Sequence, residues 1–288
     1  MKVYKIDLYD YFNIARPEGG EGYLDCYIHE QEEDLGKNRL RPAMIAIPGG
    51  GYKMNCPREG EIVTMQFFAD DYQGFCLHYS VAPVRFPWAL REAVMAVIYI
   101  RENAACLGVN ENEIAAVGFS AGGHLCGSLG TMFACSEMDI LGARKALGRP
   151  DAVLLGYPVI SYVQKPHLGS FKNLCGEDEA LRCRLSLETQ VTAESAPAFI
   201  FHTAGDPIVP VKNSLVMAAA YEDAGVPFSL HIFEQGSHGL CLAKPASDTT
   251  DDAIWKNEPY SKDFAFWVPM AKTWLAERGF GPKAGAIE

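Results

Sequence analysis

The stretch Ala115-Ala116-Val117-Gly118-Phe119-Ser120-Ala121-Gly122-Gly123-His124 constrains this chain more than any other. A short apolar run, the mark of a buried strand, stops at a Gly-x-Ser-x-Gly pentapeptide. Leu125, Cys126, Leu129, Met132 and Phe133 then return at helical spacing. Strand, sharp turn and helix in immediate succession put Ser120 on the turn, in a strained backbone conformation with its hydroxyl outward. Glycine at 118 and 122 leaves room for neighbouring chain to come close. Alone, the pentapeptide also fits a glycine-rich turn without chemistry, so its meaning depends on what the rest of the chain supplies.

The chain around it alternates strands and helices. Val3 to Tyr9 and Tyr23 to Ile28 have strand composition and are separated by Arg16-Pro17-Glu18-Gly19-Gly20, which predicts an N-terminal antiparallel pair. From Arg41 onward, strands are predicted at Ala43 to Ile47, Gly74 to Tyr79, Ala115 to Phe119, Ala152 to Tyr157, Ala198 to His202 and Phe228 to Phe233. Helices are predicted at Ile62 to Phe68, from about Pro87 to Gly108, at Asn213 to Ala224 and near Val268 to Arg278. That alternation predicts an α/β fold built on a mainly parallel sheet. Residues 161–196 are polar and Leu-punctuated without strand patterning, and read as a small cap or insertion. The tail after Gly281 reads as loose.

At 288 residues, 49% hydrophobic and 21% charged, the chain has enough apolar content for one large domain over 1–288, and no repeat or Pro/Ser-rich linker divides it. A net charge of -11 without any basic run disfavours nucleic acid and anionic membrane as partners. The start, Met1-Lys2-Val3-Tyr4-Lys5-Ile6-Asp7-Leu8, has no leader-like apolar segment, and nowhere do about 18 apolar residues run together. The expectation is a cytoplasmic protein that does not span a membrane. Nine cysteines without a CxxC pair point to reduced thiols.

In an open parallel sheet the ligand crevice lies beyond the carboxyl ends of the strands. Four such ends carry chemistry here: Pro48-Gly49-Gly50-Gly51-Tyr52, Ser120, Thr203-Ala204-Gly205-Asp206-Pro207, and Glu234-Gln235-Gly236-Ser237-His238-Gly239. Ser120 needs a base, because an alcohol is hardly ionised at neutral pH. His238, on a loop between glycines, is the candidate base. Asp206 is the candidate that orients the imidazole, with Glu234 and Asp223 as substitute acids, since an aspartate before proline also suits a turn or a helix cap. The order Ser, Asp, His is that of α/β-hydrolase sheets. The backbone N–H groups of Gly50, Gly51 and Ala121 are the candidate donors to a developing oxyanion. The triple glycine matches neither GxGxxG nor GxxxxGKS, which argues against a phosphate loop.

Other residues carry less. His124, one turn beyond Ser120, is expected to pack under the turn, and His202, at a strand end, to be packed or hydrogen-bonded. His29, His78, His167 and His231 lack metal-ligand spacing, so no metal is expected. Tyr52 and Trp88 are candidates to line the substrate pocket, although aromatic residues are more often core.

With these residues in hand, the chain resembles the α/β-hydrolase superfamily, and within it bacterial esterases related to acetylxylan esterases and to the hormone-sensitive-lipase-like group. The resemblance covers residues 40–280. It rests on Pro48-Gly49-Gly50-Gly51-Tyr52, Tyr79-Ser80-Val81-Ala82-Pro83 with Phe86-Pro87-Trp88, Gly118 to His124, Asp206-Pro207-Ile208-Val209-Pro210 and Gly236-Ser237-His238-Gly239. One departure is Pro48, where the lipase-like group has a histidine; backbone donors are unaffected by it. The resemblance implies an eight-stranded, mostly parallel sheet with helices on both faces, an acyl-enzyme mechanism without cofactor, and small acyl esters as substrates, acetylated sugars among them. It also implies a homodimer. The expected function is therefore that of a serine carboxylesterase. A peptidase or amidase of the same superfamily, or a catalytically silent hydrolase-fold binding protein, are the alternatives.

Overall fold

The computed structural model describes residues 1–31, 39–247 and 262–283. Its strands are β1 (Lys2–Asp7), β2 (Tyr23–Ile28), β3 (Arg41–Ile47), β4 (Gln73–His78), β5 (Val109–Phe119), β6 (Ala152–Gly156), β7 (Ala198–Thr203) and β8 (Phe228–Phe233). Its helices are α1 (Leu8–Phe12), α2 (Glu61–Phe68), α3 (Trp88–Glu102), α4 (Ala104–Leu107), α5 (Ser120–Met132), α6 (Leu168–Cys175), α7 (Glu179–Arg184), α8 (Lys212–Asp223) and α9 (Trp267–Ala276).

The strands form one eight-stranded sheet in the order β1-β2-β4-β3-β5-β6-β7-β8. The β1–β2 and β2–β4 pairings are antiparallel and every later one is parallel, as expected. Because successive side chains on a strand point to opposite faces, each central strand feeds two cores. Ala43, Ile45 and Ile47 of β3, Ile114 and Ala116 of β5, and Ala198 and Ile200 of β7 join α1, α3, α5 and α8 on one face. Met44 and Ala46, Ala115 and Val117, and Phe199 and Phe201 join α2 and α9 on the other. The strands are apolar on both faces, which is why they read as short continuous runs rather than as alternation.

Several boundaries differ from the expected ones, each for a local reason. β1 stops at Asp7 instead of Tyr9 because the Asp7 carboxylate accepts the amides of Tyr9 and Asp10 and so caps α1. The helix expected from Pro87 to Gly108 breaks at Asn103 into α3 and α4, and Gly108 ends it with φ +63°. β5 begins six residues before the expected Ala115, in a polar lead that includes Asn110 and the buried Glu113, whose side chains bond each other. Residues 161–196 carry α6 and α7. Of the loop 246–263, residues 248–261 lie outside the described residues, as does the tail beyond 283. No cysteine pairs with another, and among the described residues no helix is long and apolar enough to cross a membrane.

The Tyr79-Ser80 motif proves to be scaffold. Glu92 of α3 is fully buried and accepts the Ser80 amide, the Ser80 hydroxyl and the Tyr9 hydroxyl, tying α3 to β4 and α1. Burial pushes its carboxyl up to about 7 despite these donors. A carboxyl that binds its proton more tightly folded than unfolded contributes stability at low pH that is lost as pH rises from about 4.5 through about 7. Glu92→Gln removes this dependence, since its oxygen can serve the Ser80 amide while its NH2 faces two rotatable hydroxyls. Thermal unfolding between pH 5 and 8 should show the wild type losing on the order of 3 kcal/mol relative to Glu92→Gln; parallel curves would contradict this.

Candidate active site

At the carboxyl end of β5 the chain turns sharply. Phe119 is extended, and Ser120, the first residue of α5, is held at φ +54°, a conformation that costs an ordinary side chain energy. A Cβ on Gly118 would collide with the Gly122 carbonyl, and one on Gly122 with the carbonyls of Ile47 and Pro48. The pentapeptide glycines are therefore required by close chain packing, as expected. The Ser120 carbonyl accepts the Val159 amide at 3.0 Å. Ser120 is only 8% exposed, so its hydroxyl opens on a narrow cleft and not on the outer surface.

His238 and Asp206 reach this hydroxyl from the ends of β8 and β7. His238 Nε2 lies 2.8 Å from Ser120 Oγ, and His238 Nδ1 lies 2.7 Å from Asp206 Oδ2. A carboxylate only accepts, so Nδ1 carries the proton and Nε2 is left to accept from the serine. This is the tautomer a general base needs. Asp206 Oδ1 accepts the amides of Ile208 and Val209 at 2.8 and 2.9 Å. Burial alone would raise its carboxyl, but the bonds from His202 and His238 and the Val209 amide outweigh burial and hold it far below the usual carboxylate range. Asp206 therefore stays charged. Glu234 and Asp223, the substitute acids, are exposed, and neither side chain bonds His238.

The glycine loop after β3 faces the same cleft. The Gly49 amide is taken by Glu59 Oε2 at 2.8 Å. The next two amides belong to Gly50 and Gly51, at φ +120° and +65°, and among the described residues no protein acceptor takes them. Ala121 is in the first turn of α5, where amides have no intrahelical partner. The Gly51 carbonyl accepts Asn173 Nδ2 of α6 at 2.8 Å. The Tyr52 hydroxyl lies 2.8 Å from His124 Nδ1, and His124 Nε2 lies 2.9 Å from the Leu185 carbonyl. The carbonyl fixes the proton on Nε2, so Tyr52 donates to Nδ1. Burial lowers the His124 imidazole to about 4, so it is neutral and packs under the turn.

Tyr52, His124, Val159, Ser170, Phe171 and Leu174 line a tight recess beside this loop, with no open space the size of a water molecule. Tyr52 borders this recess. Trp88 does not: it packs against Tyr9, with ring centroids 6.2 Å apart, under the Arg91 guanidinium at the start of α3. Aromatic burial at a helix start was the stronger force on it.

His202 is packed and hydrogen-bonded as expected, but its partner was not foreseen, and sequence reasoning missed two further side chains at this site. His202 Nε2 lies 3.2 Å from Asp206 Oδ2, so the carboxylate is shared by two imidazoles. Tyr157, directly after β6, turns its ring edge-on to His238 with centroids 5.1 Å apart. Its place at a strand's carboxyl end was the signal that could have found it. Glu59 is 3% exposed on a loop 61 residues before Ser120, and no local pattern marks it. Among the described residues no group of three or more His, Cys, Asp or Glu is arranged to hold a metal ion.

Several known proteins are similar to this chain. The BD-FAE family model matches residues 24–148. A protein named endo-1,4-beta-xylanase B from Butyrivibrio fibrisolvens is 38% identical over 241 residues, which are 81% of this chain and 36% of that protein. An acetylxylan esterase from Xylanibacter ruminicola is 29% identical over 245 residues, 80% of this chain and 46% of that one. The chain thus spans between a third and a half of the length of these curated relatives. Among solved structures, an acetyl ester-xyloside bifunctional hydrolase from Caldicellulosiruptor lactoaceticus is 32% identical with a TM-score of 0.79, covering 96% of this chain and 97% of that one. Likeness at that identity over nearly the whole of both chains, on a sheet of this order with a serine at the strand–helix turn, means that this chain belongs to the esterases of the α/β-hydrolase superfamily.

Proposed function

We propose that this chain is a serine carboxylesterase that removes small acyl groups, acetyl foremost, from esterified sugars such as acetylated xylo-oligosaccharides. The observation that carries this reading is the unbroken hydrogen-bonded line Ser120 Oγ, His238, Asp206 beside unpaired amides of the glycine loop. Ser120 Oγ attacks the acyl carbon while His238 Nε2 takes its proton. The carbonyl electrons move to oxygen, and the Gly50, Gly51 and Ala121 amides stabilise the oxyanion, each at about 3 to 4 kcal/mol. As the carbonyl re-forms, the alcohol leaves with the proton from Nε2. Water then gives a proton to Nε2 and attacks the acyl carbon, and as the carbonyl re-forms Ser120 Oγ leaves with the proton from Nε2 and the acid is released. Asp206, held charged, stabilises the imidazolium in both halves. No cofactor enters these steps.

The acyl length follows from geometry. The leaving oxygen must meet His238 to be protonated, so the acyl group turns to the opposite side, toward Tyr52 and Phe171. Tyr52, Phe171 and Leu174 close tightly on that side and leave no open space the size of a water molecule, which disfavours a long acyl chain. Residues 161–196, with α6 and α7, act as a cap on this side of a single domain. The sugar is suggested by two similar proteins, an acetylxylan esterase and an acetyl ester-xyloside bifunctional hydrolase.

A panel of p-nitrophenyl esters, acetylated xylo-oligosaccharides and aminoacyl amides tests this reading. Acetyl esters should give the highest kcat/KM, with a steep fall for acyl chains beyond about six carbons, because longer chains need a deeper apolar pocket. A preference for long chains, or for amides over acetyl esters, would overturn it.

A further inference from the structure

The glycine loop has turn bonds of its own, from the Lys53 and Met54 amides to the Gly50 carbonyl, but these do not reach the Gly50 and Gly51 amides. Three consecutive glycines have the greatest backbone freedom of any tripeptide, yet oxyanion donors must sit at about 2.7–3.1 Å from the charge they stabilise. Something outside the loop has to fix the peptide planes. Asn173 reaches the Gly51 carbonyl from α6, and Glu59 reaches the Gly49 amide from the opposite end of the loop.

Glu59 lies at the end of the short helical turn Pro57–Glu59, and its two carboxylate oxygens go to different places. Oε2 accepts the Gly49 amide at 2.8 Å, and Oε1 accepts the Tyr157 hydroxyl at 2.6 Å. The Tyr157 hydroxyl in turn accepts the Cys241 amide at 3.0 Å, three residues past His238. The Cys241 carbonyl accepts the Trp267 indole N–H at 2.8 Å, which anchors this end to α9. The Gly49 carbonyl accepts the Cys56 amide at 3.0 Å, closing the loop back on the turn that carries Glu59. Burial first, and the Glu59 charge second, keep the Tyr157 phenol protonated, so its donation to Glu59 is permanent.

We infer that Glu59 is a positioning residue for ester cleavage: through Gly49 and Tyr157 it locks the oxyanion loop and the His238 loop at one spacing across Ser120. The inference rests on the serine esterase reading above and adds a residue to it. Glu59 touches no reacting atom. Its effect reaches the reaction through the direction of the Gly50 and Gly51 amides on one side and the height of the imidazole on the other. Such displacements cost far more in the transition state than in substrate binding, because the oxyanion exists only there.

The test is steady-state hydrolysis of p-nitrophenyl acetate by Glu59→Ala, Glu59→Gln, Tyr157→Phe and Ser120→Ala, with thermal unfolding of each. Glu59→Ala should lower kcat about 100-fold while KM stays within about threefold, the pattern of an interaction made only in the transition state. Glu59→Gln should recover kcat to within about tenfold of wild type, because its carbonyl still accepts Gly49 and its amide faces Tyr157. Tyr157→Phe should fall between them, since it frees the Cys241 amide but leaves Gly49 tied. If Glu59→Ala does not fold, the Glu59→Gln and Tyr157→Phe values decide alone. Wild-type kcat in folded Glu59→Ala, or kcat losses that only track the folded fraction, would overturn the inference while Ser120→Ala remains dead. Turnover by Ser120→Ala would instead remove the esterase reading on which it rests.

Discussion

Ser120→Ala should lose on the order of 10⁶-fold in kcat for p-nitrophenyl acetate, with the fold unchanged. The size follows from how the site is built: hydroxyl, imidazole and carboxylate are hydrogen-bonded in one line, and groups that act as one unit fail together when the attacking atom is removed. The loss should stop short of the uncatalysed rate, because the oxyanion amides and substrate binding survive. Alanine at this position removes one oxygen and keeps the backbone at φ +54° that the turn already imposes on a side-chain-bearing residue. Circular dichroism and Tm should therefore match wild type. Turnover within tenfold of wild type would show that the nucleophile lies elsewhere.

Asp206→Asn should cost about 10⁴-fold in kcat, and the structure says why the asparagine cannot adapt. Its side-chain oxygen is claimed by two backbone donors, the amides of Ile208 and Val209. The NH2 must then take the Oδ2 position, facing His238 Nδ1 and His202 Nε2. Two donors cannot face one another, so His238 is forced to carry its proton on Nε2 and can no longer accept from Ser120. His202 has its own alternative acceptor, the Val209 carbonyl at 3.0 Å, and survives the change. Fluorophosphonate labelling should slow in parallel with kcat. If Glu234→Gln has the large effect instead and Asp206→Asn is mild, the acid has been misassigned.

Much of this site could be read from the chain because its parts are local. The turn at Ser120 is written in Gly118 and Gly122, whose missing side chains are demanded by contacts within the turn and with the end of β3. Asp206 and His238 were found because strand carboxyl ends are a small set of places. The same rule would have reached Tyr157, which follows β6 directly, had aromatic residues there been weighed beside ionisable ones. Glu59 and His202 were out of reach. Glu59 meets Tyr157 across 98 residues, and nothing near it in sequence distinguishes a carboxylate that braces two loops from one that solvates a turn. His202 could be recognised as a packed strand-end histidine, but its bond to Asp206 depends on the turn that brings position 206 back over the strand. Trp88 misled because nothing in the sequence shows that its ring packs on Tyr9. The sheet order is fixed by pairings of strands far apart in sequence; the pattern predicted eight strands, most of them parallel, but not the order in which they pair.

The central claim is that the acyl group passes through a covalent bond to Ser120. Peptide mass mapping after inactivation with a fluorophosphonate measures this directly, because the reagent phosphonylates an activated serine and stops there. The account predicts one adduct per chain, on the peptide containing Ser120, formed in step with the loss of acetyl-esterase activity and absent from Ser120→Ala. An adduct on another residue, or full activity in a protein that carries the Ser120 adduct, would contradict it.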